Sequence, residues 1–297
     1  MPRKSAQKGG APLLAADTPY LLYRSFFALP KSIKGATGAP VNALLGAINA
    51  LVQAVEEHSP RAVVLTFGQD AADYRVDLFP GYHAERPPMP EELAAQWNVA
   101  PELFEMFGWS VYERPGYEAD DVLGSLALAE AERGGQSLLM TGDRDMYQCV
   151  GDSCRVLYVG ARGKGPEVLD AAEVESRYGV PPALVPDLIA LRGDPSDGIP
   201  GARGIGPKTA AELLRRHGSL EAALENPIGE TKRVMHALRE QAGELRAFKD
   251  VATLRRLDVE PPPDAPTNWA AGAAAAEAFG MNALARRLAG IAEARGA

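Results

Sequence analysis

The sequence predicts an α/β fold: a mostly parallel central sheet with helices on both faces, an arch over one end, and a C-terminal helical module. Three observations predict it. Short apolar runs alternate with longer stretches of helical periodicity, the pattern of strand–helix–strand units. The runs are nearly continuous in hydrophobicity, as strands covered on both faces are. After about Asp170 the runs stop and only short helical patterns remain.

Taken in order, Pro12–Ala16 is an apolar run ending on Asp17 and predicts the first strand. Val41–His58 carries Leu44, Leu45, Ile48, Leu51, Val52 and Val55 at helical spacing, with one core-facing stripe. Arg61–Phe67 predicts a second strand stopped by Gly68. Between Gly68 and Gly108 the pattern is irregular. Three prolines in the four residues 87–90 exclude a helix there, whereas Glu91–Phe107 allows one. A long excursion from the carboxyl end of a strand is expected to form a lid or arch over a site. Trp109–Glu113, Ser137–Thr141 and Arg155–Val159 predict three further strands, with a helix over Tyr117–Ala131. The short helices expected beyond are Ala171–Tyr178, Pro182–Leu191, Lys208–His217 and Leu220–Leu224. Glu260–Pro266 is a proline-rich connector, and Trp269–Ala294 reads as packing helices. The expected division is a basic tail (1–11), an α/β core (12–170) with its arch at about 68–108, and a helical module with packing helices (171–297).

A composition of 46% hydrophobic and 24% charged residues is that of an ordinary soluble globular protein. No apolar run has the length of a membrane span, and the N-terminal residues lack the apolar core of a secretory signal. No membrane partner and a cytoplasmic location are therefore expected. Cys149 and Cys154 are too few for a disulfide framework and have no matching cluster for zinc. The net charge of −8 argues mildly against non-specific nucleic-acid binding. Eight acids gathered in one site would account for a charge of that size, so the total decides little.

Those acids stand in four clusters: Asp17; Glu118, Asp120 and Asp121; Asp143 and Asp145; Asp194 and Asp197. Each falls where a strand ends or a helix begins. Each also has an ordinary structural reading: first-turn acids favoured by the helix dipole, turn residues, or N-caps. Convergence makes the functional case. In open parallel sheets the ligand site lies beyond the carboxyl ends of the strands, where Asp17 and Asp143 fall. Carboxylates crowded there repel one another unless hard divalent cations lie between them. Mg²⁺, with Mn²⁺ as a substitute, suits a site of oxygen ligands without His or Cys. Two such ions, about 3.5–4 Å apart, can clamp the attacking and leaving oxygens of a phosphodiester. The four histidines, His58, His83, His217 and His236, are scattered, so no nucleophile–histidine arrangement competes.

Gly201-Ala-Arg203-Gly204-Ile-Gly206-Pro-Lys208-Thr209 is a glycine-rich turn leading into a helix. Its backbone N–H groups can meet a phosphate, and Lys208, Arg203, Arg215 and Arg216 favour that over a plain turn between packed helices. It is not a nucleotide-binding P-loop, because the four-residue spacing between glycines is absent.

With these residues in view, the chain resembles the bacterial 5′ nucleases of the flap-endonuclease superfamily, in a stand-alone form similar to the 5′-nuclease domain of DNA polymerase I. The resemblance is carried by Leu21-Leu-Tyr-Arg24-Ser-Phe, Tyr82-His-Ala-Glu-Arg-Pro-Pro-Met-Pro-Glu-Glu-Leu93, Gly116-Tyr-Glu-Ala-Asp-Asp-Val122, Thr141-Gly-Asp-Arg-Asp145, and Leu191-Arg-Gly-Asp-Pro-Ser-Asp197 through Ala210. It extends from about residue 12 and weakens after Asp250. It implies a two-metal site built from all eight acids. It also implies a duplex-DNA-binding module of helix-hairpin-helix type around Gly201–His217, and a potassium ion held by backbone carbonyls of that turn. Arg24, Arg75 and Arg86 match positions that face substrate phosphates in the family. The implied activity is structure-specific 5′ cleavage of DNA with a single-stranded 5′ end or flap, in replication and repair, by a monomer.

Three positions depart from the family pattern. An acid is expected where Gly68 stands, a lysine where His83 stands, and Gly after Asp17 where Thr18 stands. Gly68 removes a carboxylate, and His83 replaces a permanent cation in the catalytic group with Arg24 and Arg86. Two alternatives therefore stand beside the active 5′ nuclease: a DNA binder with weak or no cleavage, and a ribonuclease acting on RNA primers.

Overall fold

The computed structural model describes residues 10–160 and 165–296. All but the last two residues of the expected basic tail lie outside the described residues. Leu13–Asp17 (β1), Ala62–Thr66 (β2), Ser110–Tyr112 (β3), Ser137–Thr141 (β4), Cys154–Tyr158 (β5) and Glu167–Leu169 (β6) form one sheet in the order β3-β2-β1-β4-β5-β6. Every pairing is parallel except that of β5 with β6. Edge strand β6 is not among the apolar runs of the sequence. It is three residues long, and Glu167 and Val168 face solvent.

The helices are Thr18–Ala28 (α1), Asn42–His58 (α2), Asp73–Leu78 (α3), Glu91–Glu105 (α4), Ala119–Glu132 (α5), Ala171–Tyr178 (α6), Val185–Arg192 (α7), Pro207–His217 (α8) and Leu220–Glu225 (α9). They continue as Lys232–Glu240 (α10), Ala242–Ala252 (α11), Trp269–Ala278 (α12) and Asn282–Arg295 (α13). Among the described residues no helix is long and apolar enough to cross a membrane.

Alternate residues of each strand feed two cores, as the period of two requires. Leu13, Ala15, Val64, Leu139 and Val156 pack with α5 and with α7 through α11. Leu14, Ala16, Val63, Leu65, Leu138 and Met140 pack with α1, α2, α4 and the α12–α13 hairpin. The helical C-terminal portion is thus shared between the faces: residues up to α11 cover one side, and the final hairpin returns to the other.

The chain runs from β1 outward to β2 and β3, then crosses to β4 and outward again. Strand order therefore reverses at β1 and β4. Their carboxyl ends flank the crevice in which such sheets bind ligands.

Candidate active site

A cleft of about 860 Å³ opens at that reversal. Asp17, Glu118, Asp120, Asp143, Asp145 and Asp197 line it together, so six of the eight acids singled out in the sequence meet there. Asp121 and Asp194 do not line it.

Each acid is set by its local structure. Asp17 ends β1 and is the N-cap of α1. Its Oδ1 accepts from the Tyr20 backbone N–H at 3.0 Å, and its Oδ2 accepts from the Thr141 hydroxyl at the end of β4 at 2.7 Å. Thr141 Oγ1 accepts from the Asp143 N–H at 2.9 Å, and Asp143 Oδ1 accepts from the Asp145 N–H at 2.8 Å. This chain of hydrogen bonds crosses the switch point and fixes the Asp17 and Asp143 carboxylates and the Asp145 backbone relative to two neighbouring strands.

The α5 cluster corrects the sequence expectation. The helix begins at Ala119, so Glu118 is its N-cap and Asp121 its third residue, in a capping box. Asp121 is fully buried and turned away from the cleft. It accepts two bonds from Arg75 at 3.0 Å, one from the Tyr74 hydroxyl and one from the Arg255 backbone N–H. Glu118 faces the cleft, held by the Ala72 N–H at 2.7 Å, Arg75 at 3.1 Å and the Tyr82 hydroxyl at 2.9 Å. Asp120 projects into the cleft between them. In the last cluster, Asp194 Oδ1 closes a turn onto the Ser196 N–H at 2.9 Å while Asp197 reaches the cleft.

Electrostatics mark the cleft as short of positive charge. Burial pushes the Asp17 carboxyl above its ordinary range despite its two hydrogen bonds. Burial raises Asp120 well above that range, and Asp17 and Asp143 add to the effect. Burial does the same to Asp145, reinforced by Asp143 and Asp197. Asp143 is pushed up to about 7, by burial first and Asp197 second. The donors are oxygens only, which fits hard divalent cations. Among the described residues no three or more His, Cys, Asp or Glu side chains stand close enough together to hold a metal ion as placed.

The basic residues separate. Arg86 sits at the cleft, 38% exposed, with Nη1 3.1 Å from Asp70 Oδ1 and Nη2 3.4 Å from Asp197 Oδ1. His83 lines the same cleft, but its side chain is only 4% exposed and is held against Asp197. Arg24 donates from Nε to the Gly160 carbonyl at 3.1 Å. Arg75, expected at the DNA surface, is 3% exposed. Its Nε donates to the Val251 carbonyl at 3.0 Å and its terminal nitrogens grip Glu118 and Asp121, so it is spent inside the protein. Of the residues that hold the acids, Tyr82 and Thr141 stood in the motifs of the resemblance without a role of their own, and Tyr74 carried no sequence signal, since a lone tyrosine is ordinary core chemistry.

Gly68 is where its packing requires it. A Cβ there would lie 2.4 Å from the Ala119 backbone nitrogen and 2.6 Å from the Glu118 carbonyl carbon. The end of β2 therefore leans directly on the start of α5, and a carboxylate at this position has no room. Asp70 lines the cleft instead, its side chain exposed and paired with Arg86. The cleft is also lined by the largely apolar side chains Tyr20, Tyr23, Phe27, Pro87, Met89 and Trp97.

The glycine-rich turn enters α8 through Gly206 as N-cap and Pro207 as first residue. Gly201 and Gly204 take left-handed backbone, with φ of 71° and 74°. Arg203, Gly204, Gly206 and Lys208 are exposed, Thr209 is half-buried, and no acid occupies the first turn of the helix. A Cβ on Gly206 would meet nothing within 4 Å, so its openness serves approach from outside.

Both parts of the chain are similar to known proteins. The family model for the 5′-3′ exonuclease N-terminal resolvase-like domain matches residues 12–179, and that for the 5′-3′ exonuclease C-terminal SAM fold matches residues 180–267. A 5′-3′ exonuclease of Mycobacterium tuberculosis is 40% identical over 231 residues, which are 71% of this chain and 72% of that protein. The thermostable DNA polymerase I of Thermus thermophilus is 40% identical over 214 residues, 72% of this chain but 25% of the polymerase. Among solved structures, bacteriophage T5 5′-exonuclease with divalent zinc bound superposes with a TM-score of 0.69 at 16% identity, covering 95% of this chain and 98% of that one. The catalytic core of Rad2 in complex with DNA substrate gives 0.61 at 14% identity, covering 93% and 92%. Those two likenesses are of fold. With both domain models matched in order over residues 12–267, the chain belongs to the 5′-3′ exonuclease family.

Proposed function

We propose that the chain hydrolyses DNA phosphodiesters at a 5′ single-stranded end or flap, using two divalent cations, Mg²⁺ or Mn²⁺. The convergence of Asp17, Glu118, Asp120, Asp143, Asp145 and Asp197 on one cleft at the switch point carries the reading. When bound, the cations supply an activated water and offset charge on the phosphodiester. Everything else is the work of the chain. The hydrogen bonds through Thr141 and Tyr82 hold the carboxylates in place before substrate arrives. Arg86, at the rim, meets the phosphate beside the acids. The largely apolar lining of Tyr20, Tyr23, Phe27 and Trp97 offers bases a surface to stack on and keeps water from the strand. Lys208 and the N–H groups opening α8 hold the duplex by its phosphates, which carry no base code, so recognition is by shape. A potassium ion at the glycine-rich turn belongs to the same proposal, as do a monomeric state and a cytoplasmic location. Asp194 and Asp121 support the site from behind.

Comparing a 5′ flap, a blunt duplex, a single strand and an RNA–DNA hybrid, with and without divalent cation, tests this. Metal-dependent product from the flap first, reduced by orders of magnitude in Asp143→Ala with DNA binding retained, is the expected result. Wild-type rates in that variant, or equal cleavage in chelator, would refute it. The lack of room for an acid at Gly68 favours one second reading, a flap binder with weak cleavage. Flap binding without product in either cation would select it, and product from the RNA–DNA hybrid in preference to the flap would select a ribonuclease.

A further inference from the structure

We propose that His83 is a positioning residue that holds Asp197 and fastens the base of the arch to the Asp194–Ile199 loop, leaving Arg86 as the cation that meets substrate. The inference rests on the reading of Asp197 as a cation-holding carboxylate.

The observations are local. The His83 backbone is left-handed, with φ of 53°, one of two such non-glycine residues among those described. That conformation is uncommon outside glycine, although histidine takes it more readily than most residues, and contacts around it hold it here. Four contacts do so. The His83 N–H donates to the Asp197 carbonyl at 3.2 Å, and the ring stacks on Tyr82 at 3.8 Å between centroids. Nδ1 lies 2.6 Å from the Asp70 carbonyl oxygen, and Nε2 lies 3.1 Å from Asp197 Oδ1. A carbonyl and a carboxylate only accept, so the ring N–H donates to one of them and the ring is held between the two. The loops themselves touch: a Cβ on Gly198 would come within 2.6 Å of the Gly81 carbonyl oxygen.

Arg86 shares the same Asp197 oxygen on different terms. Its contact is the longer one, 3.4 Å, and its side chain is far more open to water than that of His83. Exposed pairs of this kind hold weakly and exchange readily. Arg86 can therefore swing to a phosphate without releasing Asp197, because the buried ring stays behind. Tyr82 ties the device to the rest of the site, since its hydroxyl donates to Glu118 Oε2 while its face carries the His83 ring. One residue pair, Tyr82 and His83, thus holds a carboxylate from α5 and one from the loop before the glycine-rich turn. A lysine here, as the family resemblance leads one to expect, has no planar ring to stack on Tyr82.

The test uses the full-length protein with Mn²⁺ as probe. Direct Mn²⁺ titration by calorimetry, flap binding by fluorescence anisotropy in chelator, and single-turnover flap cleavage across Mg²⁺ concentrations are measured for wild type, H83A, H83N, H83K and R86A. The loss of a group that orients a metal-holding carboxylate costs about 10–100-fold in metal affinity. H83A is expected to lose Mn²⁺ affinity in that range, with flap affinity in chelator within about two-fold of wild type on the same argument. H83N, which tolerates left-handed backbone and keeps one donor, recovers part of the loss, whereas H83K does not. R86A shows the converse: unchanged Mn²⁺ affinity and slower single-turnover cleavage at saturating metal. Unchanged Mn²⁺ affinity in H83A and H83N, or a lysine variant at least as active as wild type, overturns the proposal alone. A wild-type protein that takes up no Mn²⁺ overturns the reading of the cleft, and the proposal with it.

Discussion

Arg75 is the place where structure and sequence expectation part most sharply, and its removal has a calculable cost. Its guanidinium lies between Glu118 and Asp121, with contacts of 3.0–3.1 Å to each, and is capped by the Val251 carbonyl. Burial opposes its charge, and the two carboxylates more than offset that, raising its pKa further. Arg75→Ala leaves two buried carboxylates, one of them with no exposure at all. Breaking a buried ion pair by deleting one partner costs about 3–5 kcal/mol, because the remaining charge stays desolvated. At roughly 2–4 °C per kcal/mol for a chain of this class, the melting temperature should fall by on the order of 10 °C. Denaturant unfolding followed by circular dichroism measures the first figure and thermal melting the second. The neutral triple variant Arg75→Met, Glu118→Gln, Asp121→Asn should regain much of the loss, since no charge is left stranded. If Arg75 were a surface phosphate contact, the alanine variant would lose under about 1 kcal/mol and its flap affinity would drop instead. That outcome would refute the assignment.

Two further outcomes follow from the same geometry. Gly68→Asp, which restores the acid the family pattern calls for, should destabilise the protein by about 1–3 kcal/mol and fail to raise cleavage. Its Cβ must displace the start of α5, and a gain in rate at unchanged melting temperature would contradict that. Lys208→Ala should weaken duplex binding equally across sequences and reduce the slope of log affinity against log salt by about 1. An unchanged slope would remove Lys208 from the interface.

Much of this site was legible because one set of residues serves two purposes. Asp17 caps α1 and lines the cleft; Glu118 caps α5 and lines the cleft. A carboxylate placed where a strand hands over to a helix satisfies local capping chemistry and, in a parallel sheet, stands at the ligand edge. The functional and ordinary readings of those clusters were therefore never rivals. What the sequence could not show depended on distant partners. Asp120 and Asp121 are adjacent and chemically equal, and only the starting residue of α5 decides which faces the cleft. Arg75 looks like any exposed basic residue until Val251, far along the chain, closes over it. His83 reads as a weakened lysine until its left-handed backbone turns the ring inward. Strand β6 escaped because an edge strand of three residues needs no apolar run.

The placement of β1 has a consequence for how the molecule is made. It is the first strand of the sheet to be synthesised, yet it lies in the middle of the sheet with a neighbour on each side. Its second edge stays unsatisfied until residue 140 has been synthesised, because β4 supplies that neighbour. All five of its residues are buried in the finished protein, so during translation an apolar ribbon waits with bare N–H and C=O groups. Pairings so remote along the chain close slowly. The nascent polypeptide is consequently most vulnerable to clumping in the interval between β2 and β4, and this is where a chaperone would have most to do.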